Sequence, residues 1–149
     1  MDKIGMIGWT DIVLRDKNGK VKYSITKHNT ITTVGKQLSA KQINGVATAP
    51  VTAIAIGVGT PSATALGSES TTNGGTRGAA TCTNETTTLT GDTAKWAKTF
   101  TFTGVLVLTE AGLFDNNTSG GNMLASQTLD TVTTADTDTL AITWNVKYA

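Results

Sequence analysis

Residues 140–148 alternate between large apolar side chains and small or polar ones without a break. The apolar set is Leu140, Ile142, Trp144, Val146 and Tyr148, and the intervening set is Ala141, Thr143, Asn145 and Lys147. A period of two is typical of a β-strand that buries one face in a core and exposes the other to water. The chain is therefore expected to fold around a core that this strand helps to build.

Shorter strand-like segments fill much of the remaining sequence. Residues 9–15 and 20–26 flank Asp16-Lys17-Asn18-Gly19, and Asn-Gly tolerates the positive φ angles of a tight hairpin turn. Residues 52–58 alternate between branched side chains and small ones, which leaves a smooth second face that another layer can approach closely. Further strands are predicted over residues 79–89, 95–103, 105–114 and 123–129.

One helix is predicted, over residues 33–43, because Val34, Leu38 and Ile43 fall near helical spacing. Thr32 or Thr33 suits the N-cap, and Gly45 suits the end of the helix. Many short strands with turn signals between them, together with a single helix, predict an all-β fold. The expected architecture is an antiparallel β-sandwich or barrel with one short helix.

The length of 149 residues is that of one domain. Residues 1–8 carry two glycines among apolar residues and no clear period, so we interpret them as an N-terminal arm that precedes a single β domain at residues 9–149. Residues 60–78 are rich in Gly, Ser, Thr and Ala and are predicted to form a long loop. Long loops in compact domains tend to be functional, and we expect this one to make interfaces.

The charge pattern disfavours several classes of partner. The net charge is +1 and the basic residues are scattered, which argues against nucleic acid as a partner. No apolar run is long enough to span a membrane, and the start does not resemble a signal sequence, so synthesis in a cytoplasm is expected. Cys82 is the single cysteine, which excludes an intrachain disulfide, and we expect it to be buried in a strand.

The residues that usually carry catalysis are scarce. His28 is the only histidine, so the common triads and histidine metal clusters cannot form within one chain. Asp130, Asp136 and Asp138 lie close together but lack the glycine and terminal glutamate of a calcium loop, which favours a solvated turn. We therefore predict a protein that is not an enzyme and has no metal or cofactor.

Glu110 is the exception to a run of apolar residues at 105–114. A carboxylate in such a run must reach solvent, accept hydrogen bonds from backbone amides, or pair with a cation. A structural pairing is the favoured interpretation, because no second acid or base accompanies it. Lys95, Lys98 and Arg77 are the candidate partners.

Several short motifs occur together in a fixed order. The most specific are Thr-Glu-Ala-Gly-Leu-Phe-Asp at 109–115, Gly-Gly-Asn-Met-Leu-Ala at 120–125 and Asp-Thr-Leu with Ile142 and Trp144 at 138–144. Earlier in the chain come the hairpin at 16–19, His28-Asn29 with Gly35, and the segments 54–59 and 66–69. The series covers most of the chain and resembles virion structural proteins of tailed bacteriophages, above all the capsid decoration (cement) proteins. Within it, Glu110, Gly112, Phe114 and Trp144 are the motif residues.

The resemblance implies a non-enzymatic protein made in the bacterial host cytoplasm that binds the outer surface of the capsid and stabilises the assembled shell. Its implied partners are the major capsid protein and further copies of itself, as a homotrimer. The residues expected to make these contacts come from the arm, the first strand and the long loop: Met1, Ile4, Met6, Ile7, Trp9, Pro61, Leu66 and Arg77.

Two other functions compete with this one. The first is a tail, baseplate or fibre component, including one that binds a host surface sugar. Sugar-binding modules usually expose aromatic side chains, whereas Trp96 and Trp144 lie on apolar faces and only Trp9 is ambiguous. The second is a small enzyme, which would need an acid and base pair that the sequence does not present.

Overall fold

The computed structural model of the chain describes residues 5–46 and 49–148, about half of which belong to two antiparallel β-sheets. The strands are, in chain order, β1 (Met6–Arg15), β2 (Val21–His28), β3 (Thr30–Ile31), β4 (Ala53–Gly57), β5 (Gly78–Ala79), β6 (Thr81–Glu85), β7 (Thr93–Thr101), β8 (Val107–Phe114), β9 (Met123–Thr133) and β10 (Thr139–Tyr148). The described part of the chain holds one α-helix, α1 (Thr33–Ile43). The predicted all-β fold is confirmed, and the architecture is a sandwich. As the helix is short and polar, it is not one that crosses a membrane.

The first sheet has the strand order β2-β1-β10-β7-β6, and the second has the order β3-β9-β8-β4-β5. The strand with the clearest alternation, β10, lies at the centre of the first sheet between β1 and β7. β1 pairs with it along its whole length, from Met6 opposite Tyr148 to Arg15 opposite Thr139. The N-terminal and C-terminal strands are therefore neighbours.

The core lies between the two sheets and receives the alternating apolar residues that the sequence indicated. Ile142 and Trp144 of β10 are 1% and 0% exposed, and Trp96 of β7 is 7% exposed. The indole nitrogen of Trp96 donates to the carbonyl of Val51 at 2.7 Å. Both tryptophans assigned to the core are thus core residues.

The helix has the predicted bounds and caps. Thr32 is the N-cap, and its hydroxyl oxygen accepts from the amide of Gly35 at 2.7 Å. Gly45 follows the last turn with a φ of 71°, a conformation that favours glycine. A Cβ on Gly35 would lie 2.0 Å from the carbonyl oxygen of Leu124, so a glycine lets the helix backbone rest directly on β9.

The hairpin between β1 and β2 is also confirmed. Gly19 has a φ of 81°, and the carboxylate of Asp16 accepts from the amides of Asn18 and Lys20 at 2.8 and 3.0 Å. This side chain fixes the turn locally, as Asp does at the first position of a turn.

The predicted arm at residues 1–8 needs correction at its inner end. Met6, Ile7 and Gly8 are not an arm but the first residues of β1, and they pair with Tyr148, Lys147 and Val146. The alternation of this strand was not apparent in the sequence, because Gly8 has no side chain at a buried position where an apolar side chain would mark the core face. Met1 and Ile4, two of the predicted contact residues, lie outside the described residues.

Candidate binding surface

His28 and Cys82, whose side chains are of types that often take part in catalysis, are far apart in the fold. His28 ends β2 and Cys82 lies in β6, and these strands form opposite edges of the first sheet. Cys82 is exposed, which corrects the expectation that it is buried, because an edge strand lacks a neighbour to cover it. Across residues 5–46 and 49–148, no group of three His, Cys, Asp or Glu side chains is placed to hold a metal ion.

The acidic residues near the C-terminal strand do not converge on one point. Asp138 is 2% exposed, forms an ion pair with Lys22 at 2.5 Å and accepts from the amide of Ala135 at 2.9 Å. Asp130 and Asp136 are exposed. Asp138 therefore stabilises the turn before β10 instead of sharing a ligand site with its neighbours.

Glu110 has a structural role, and its partners are backbone amides. The side chain is 0% exposed. One carboxylate oxygen accepts from the amides of Ser68 and Gly59 at 2.7 and 3.1 Å, and the other accepts from the amide of Gly67 at 2.8 Å. These bonds satisfy a buried charge as the sequence required. None of the three predicted cation partners pairs with Glu110. Arg77 pairs with Glu69, Lys95 pairs with Glu85, and the Lys98 ammonium lies 4.7 Å from the ring centre of Phe100.

The amides around Glu110 belong to the loop at residues 58–77, which contains most of the predicted long loop and lies over the outer face of the second sheet. Leu66 of this loop packs against Ala53, Ala55, Phe114 and Met123, each of which is at most 2% exposed. The smooth face of β4 is therefore covered by the chain itself. Leu66 packs within the chain, but both it and Pro61 are half-buried, so their assignment to the intersubunit surface stays a prediction.

Arg77 closes the far end of the loop and is also an internal contact. Its side chain forms two hydrogen bonds with the carboxylate of Glu69, at 2.8 and 2.6 Å. The guanidinium also donates to the carbonyls of Asn116 and Gly120 and lies 3.7 Å from the ring centre of Phe114. Arg77 is 6% exposed, and its guanidinium is fully engaged in hydrogen bonds within the chain. We had expected Arg77 to contact another chain, but its role in the structure is an internal one.

The motif at 109–115 thus has a clear physical purpose. Glu110 and Phe114 hold the two ends of the loop, and both lie in β8. Gly112 lies between them, and a Cβ there would come within 2.7 Å of the Phe114 ring and 3.0 Å of the Met123 sulfur. The motif residues therefore form the support of the loop, whereas Trp144 belongs to the core between the sheets.

The outer face of the first sheet, in contrast, is open. It carries the side chains of alternate residues from β2, β1, β10 and β7: Ser24, Thr26 and His28; Ile7, Trp9, Asp11 and Val13; Ala141, Thr143, Asn145 and Lys147; Lys95, Ala97 and Thr99. All are exposed or half-buried except Asn145, which is 6% exposed. We call this surface the open face.

The open face is large and poor in free charge. With strands about 4.8 Å apart and a rise of about 3.3 Å per residue, the four strands of the open face and the ten-residue length of β10 span roughly 20 by 30 Å. Asp11 is bonded by the hydroxyl of Thr26 at 2.5 Å, and Lys95 is paired with Glu85 at 3.3 Å. Ile7 is 45% exposed, and Trp9 and Val13 are half-buried. Two of the predicted contact residues, Ile7 and Trp9, therefore share one surface.

A second feature lies at the end of the sandwich, where the helix meets the last residues of β10. An apolar groove of about 450 Å³ opens there, and we call it the end groove. Its apolar wall is formed by Met6, Val51, Ala94, Trp96, Leu124 and Val146. Ser39 and Tyr148 stand beside it and share a hydrogen bond at 2.5 Å between their hydroxyls. Met6, a predicted contact residue, is thus placed in a cavity.

Next to the end groove, residues 86–92 form a loop that Asp92 organises. Its carboxylate accepts from the amides of Thr87, Thr88 and Leu89 at 2.9, 2.9 and 3.0 Å. These amides, led by that of Leu89, hold the pKa of Asp92 well below its ordinary value of 3.8. Leu89 at the tip is 71% exposed. The sequence prediction ran a strand through to Leu89, and nothing in its local pattern indicated this exposed tip.

The low pKa of Asp92 predicts an acid-sensitive loop. Because the folded chain keeps this carboxyl ionised to lower pH than the unfolded chain does, its stabilisation is complete above about pH 4 and is lost as the pH falls towards the folded pKa. Thermal midpoints of the wild type and of Asp92→Asn should therefore differ most at neutral pH and converge in acid. A difference that stays constant from neutral to acid pH would contradict this role of Asp92.

Comparison with known proteins found no relative of this chain. No protein-family model matches it, and neither the curated proteins nor the solved structures contain a match.

Proposed function

We propose that this chain is a structural protein of a tailed-bacteriophage virion, not an enzyme, that binds the outer surface of the capsid and stabilises the assembled shell. The ordered motifs from residue 16 to residue 144 support the family, and the open face supports the mode of action. Its partners in this proposal are the major capsid protein and further copies of itself, as a homotrimer. It is made in the bacterial cytoplasm and ends on the virion surface.

The single observation that carries the proposal is the difference between the two outer faces of the sandwich. The second sheet is covered by the chain's own loop, with Ala53 and Ala55 0% exposed, whereas Ile7 on the first sheet is 45% exposed. A planar area on the order of 600 Å² is close to the roughly 800 Å² that each partner contributes to a specific interface. The open face is therefore the described surface best suited to bind a large partner.

The composition of the open face also suits binding without chemistry. Interface cores are depleted in charge and enriched in aromatic residues, and Trp9 lies in the row between His28 and Asn145. A protein that binds only the assembled shell stabilises it by mass action, by about 2.7 kcal/mol per site when its free concentration is 100 times the dissociation constant. No acid, base or metal takes part in that process.

Substitution on the open face should abolish attachment while leaving the fold intact. We expect Ile7→Glu to weaken binding to purified shells at least about tenfold, and Trp9→Ala about thirtyfold, because tryptophan is one of the residues enriched at the energetic centres of interfaces. The measurement is co-sedimentation of the purified chain with shells of its phage that lack it. Val105→Glu is the matched control, since Val105 is a 60% exposed apolar residue outside the open face.

Two outcomes would contradict the proposal. Full binding by both open-face variants would exclude this surface as the site of attachment. Electron microscopy of virions with the chain labelled separates the locations, since label on the tail or baseplate instead of the shell would favour a tail component.

A further inference from the structure

Three Asn-Gly pairs occur in the chain, at 18–19, 44–45 and 73–74. In such a pair the asparagine side chain lies beside an amide that no side chain shields, because glycine has no Cβ. The amide nitrogen can attack the carbonyl carbon of the asparagine side chain and close a succinimide ring, which is one reason why asparagine is a thermolabile residue. The dipeptide is the same at the three places, so their surroundings in the fold distinguish them.

The pair at 73–74 is held in place by the fold. The side-chain nitrogen of Asn73 donates to the carbonyl of Val105 at 3.1 Å, and the backbone carbonyl of Asn73 accepts from the amide of Thr103 at 3.1 Å. A Cβ on Gly74 would lie 2.0 Å from the carbonyl oxygen of Thr101, so the backbone there packs closely against the end of β7. Attack on the Asn73 side chain therefore requires the loss of a side-chain bond and the movement of a fixed backbone.

The pair at 44–45 follows α1, and its side chain is also bonded. The side-chain oxygen of Asn44 accepts from the amide of Val46 at 3.1 Å. The backbone amide of Asn44 caps the helix and donates to the carbonyl of Ala40 at 3.4 Å. Ring closure turns the side-chain carbonyl that makes the bond to Val46, so this bond opposes the reaction.

The pair at 18–19 differs, because among residues 5–46 and 49–148 the Asn18 side chain has no hydrogen-bond partner. Asn18 and Gly19 are exposed at the tip of the hairpin between β1 and β2, and a Cβ on Gly19 would meet nothing within 4 Å. Only the backbone of this pair is held. The Gly19 amide donates to the carbonyl of Asp16 at 2.9 Å, and the Asp16 carboxylate accepts from the amides of Asn18 and Lys20.

We propose that Asn18 is a site of spontaneous deamidation and that the turn organised by Asp16 sets its rate. The Gly19 nitrogen leaves the Asp16 carbonyl when the turn opens, loses its proton to hydroxide and forms a bond to Cγ of Asn18, whose side-chain nitrogen leaves as ammonia. Water then opens the succinimide at either carbonyl, which gives aspartate or isoaspartate at position 18. The net charge of the chain falls from +1 to 0, since a neutral amide becomes a carboxylate. The proposal concerns the isolated chain and does not rest on the proposed function.

The experiment incubates the folded chain in mildly alkaline buffer and follows the three pairs by peptide mass spectrometry. A parallel incubation in guanidinium chloride gives the rate of each pair in the unfolded chain, and each folded-state rate is divided by it. The normalised rate of Asn18 should exceed those of Asn44 and Asn73 at least about fivefold, because only Asn18 has no side-chain bond to break. Ion-exchange chromatography should show the same conversion as a more acidic species.

Two variants test the site and the turn separately, and their thermal midpoints verify the fold. Asn18→Gln should abolish the acidic species, because glutamine closes the larger ring far more slowly. Asp16→Ala should speed conversion at Asn18 at least about threefold and leave Asn44 and Asn73 unchanged, because the turn then opens more often. An Asn18 that stays intact in the folded chain, or equal normalised rates at the three pairs, would overturn the proposal. A rate that Asp16→Ala does not raise would overturn the role of the turn.

Discussion

Glu110→Gln is expected to lower the free energy of unfolding by about 3 to 4 kcal/mol, the effect of removing a buried charge that three amides share. Glutamine has nearly the same shape but only one acceptor oxygen, and its NH2 group must face an amide that also donates. The Gly59, Gly67 and Ser68 amides then lose charge-assisted bonds, and at least one loses its partner. The thermal midpoint should fall by about 10 °C.

Glu85→Gln is the matched control for this substitution. Glu85 has a side chain 45% exposed and a single lysine partner at 3.3 Å, so its replacement should change stability by no more than about 0.5 kcal/mol. Equal melting points for the two variants would show that the amide contacts of Glu110 contribute no net stability. Faster proteolysis within residues 58–77 of Glu110→Gln would locate the loss in the loop.

Arg77→Met should destabilise the chain by about 3 kcal/mol, because methionine keeps much of the apolar volume and removes every polar contact. The carboxylate of Glu69 and the carbonyls of Asn116 and Gly120 are left without the guanidinium. Chemical denaturation measures the loss. Arg15→Met is the control, since Arg15 is exposed and makes one bond, to the carbonyl of Gly19 at 3.0 Å.

A lysine at position 77 separates charge from shape. Arg77→Lys keeps the positive charge but cannot make the two parallel bonds to Glu69 or stack its plane on Phe114, so it should recover only part of the stability. The double variant of Glu110→Gln and Arg77→Met should lose less than the sum of the two losses, because either change alone releases the same loop. Full recovery by lysine, or strict additivity, would contradict this account of the loop.

Much of the local structure followed from the sequence. The hairpin at Asp16 to Gly19, the helix that begins after Thr32, and the faces of β10 all depend on neighbours a few residues away. Turn geometry, capping and side-chain alternation depend on residues close together in the sequence, so they can be predicted before the fold is known. The start of β1 was not predicted as a strand, because Gly5 and Gly8 interrupt the apolar pattern.

The buried carboxylate shows where that kind of reasoning ends. The apolar neighbours of Glu110 required a partner for its charge, and this was correctly inferred. Which partner it has was decided by residues 42, 43 and 51 positions away, whose amides the loop brings together. The sequence favoured a lysine or arginine as the partner, because a cationic side chain can be identified from the residue type. A backbone amide cannot be singled out in this way, because every residue except proline has one.

The choice of binding surface was decided by tertiary structure in the same way. Residue patterns predicted an antiparallel sandwich or barrel, with a smooth face on β4 and an alternating strand at the end of the chain. They did not establish that the loop covers the β4 face, that Arg77 and Leu66 are used inside the chain, or that Ile7 and Leu89 are left in solvent. The physical reason is that alternation records whether a side chain suits burial, while the surface that buries it comes from distant parts of the chain.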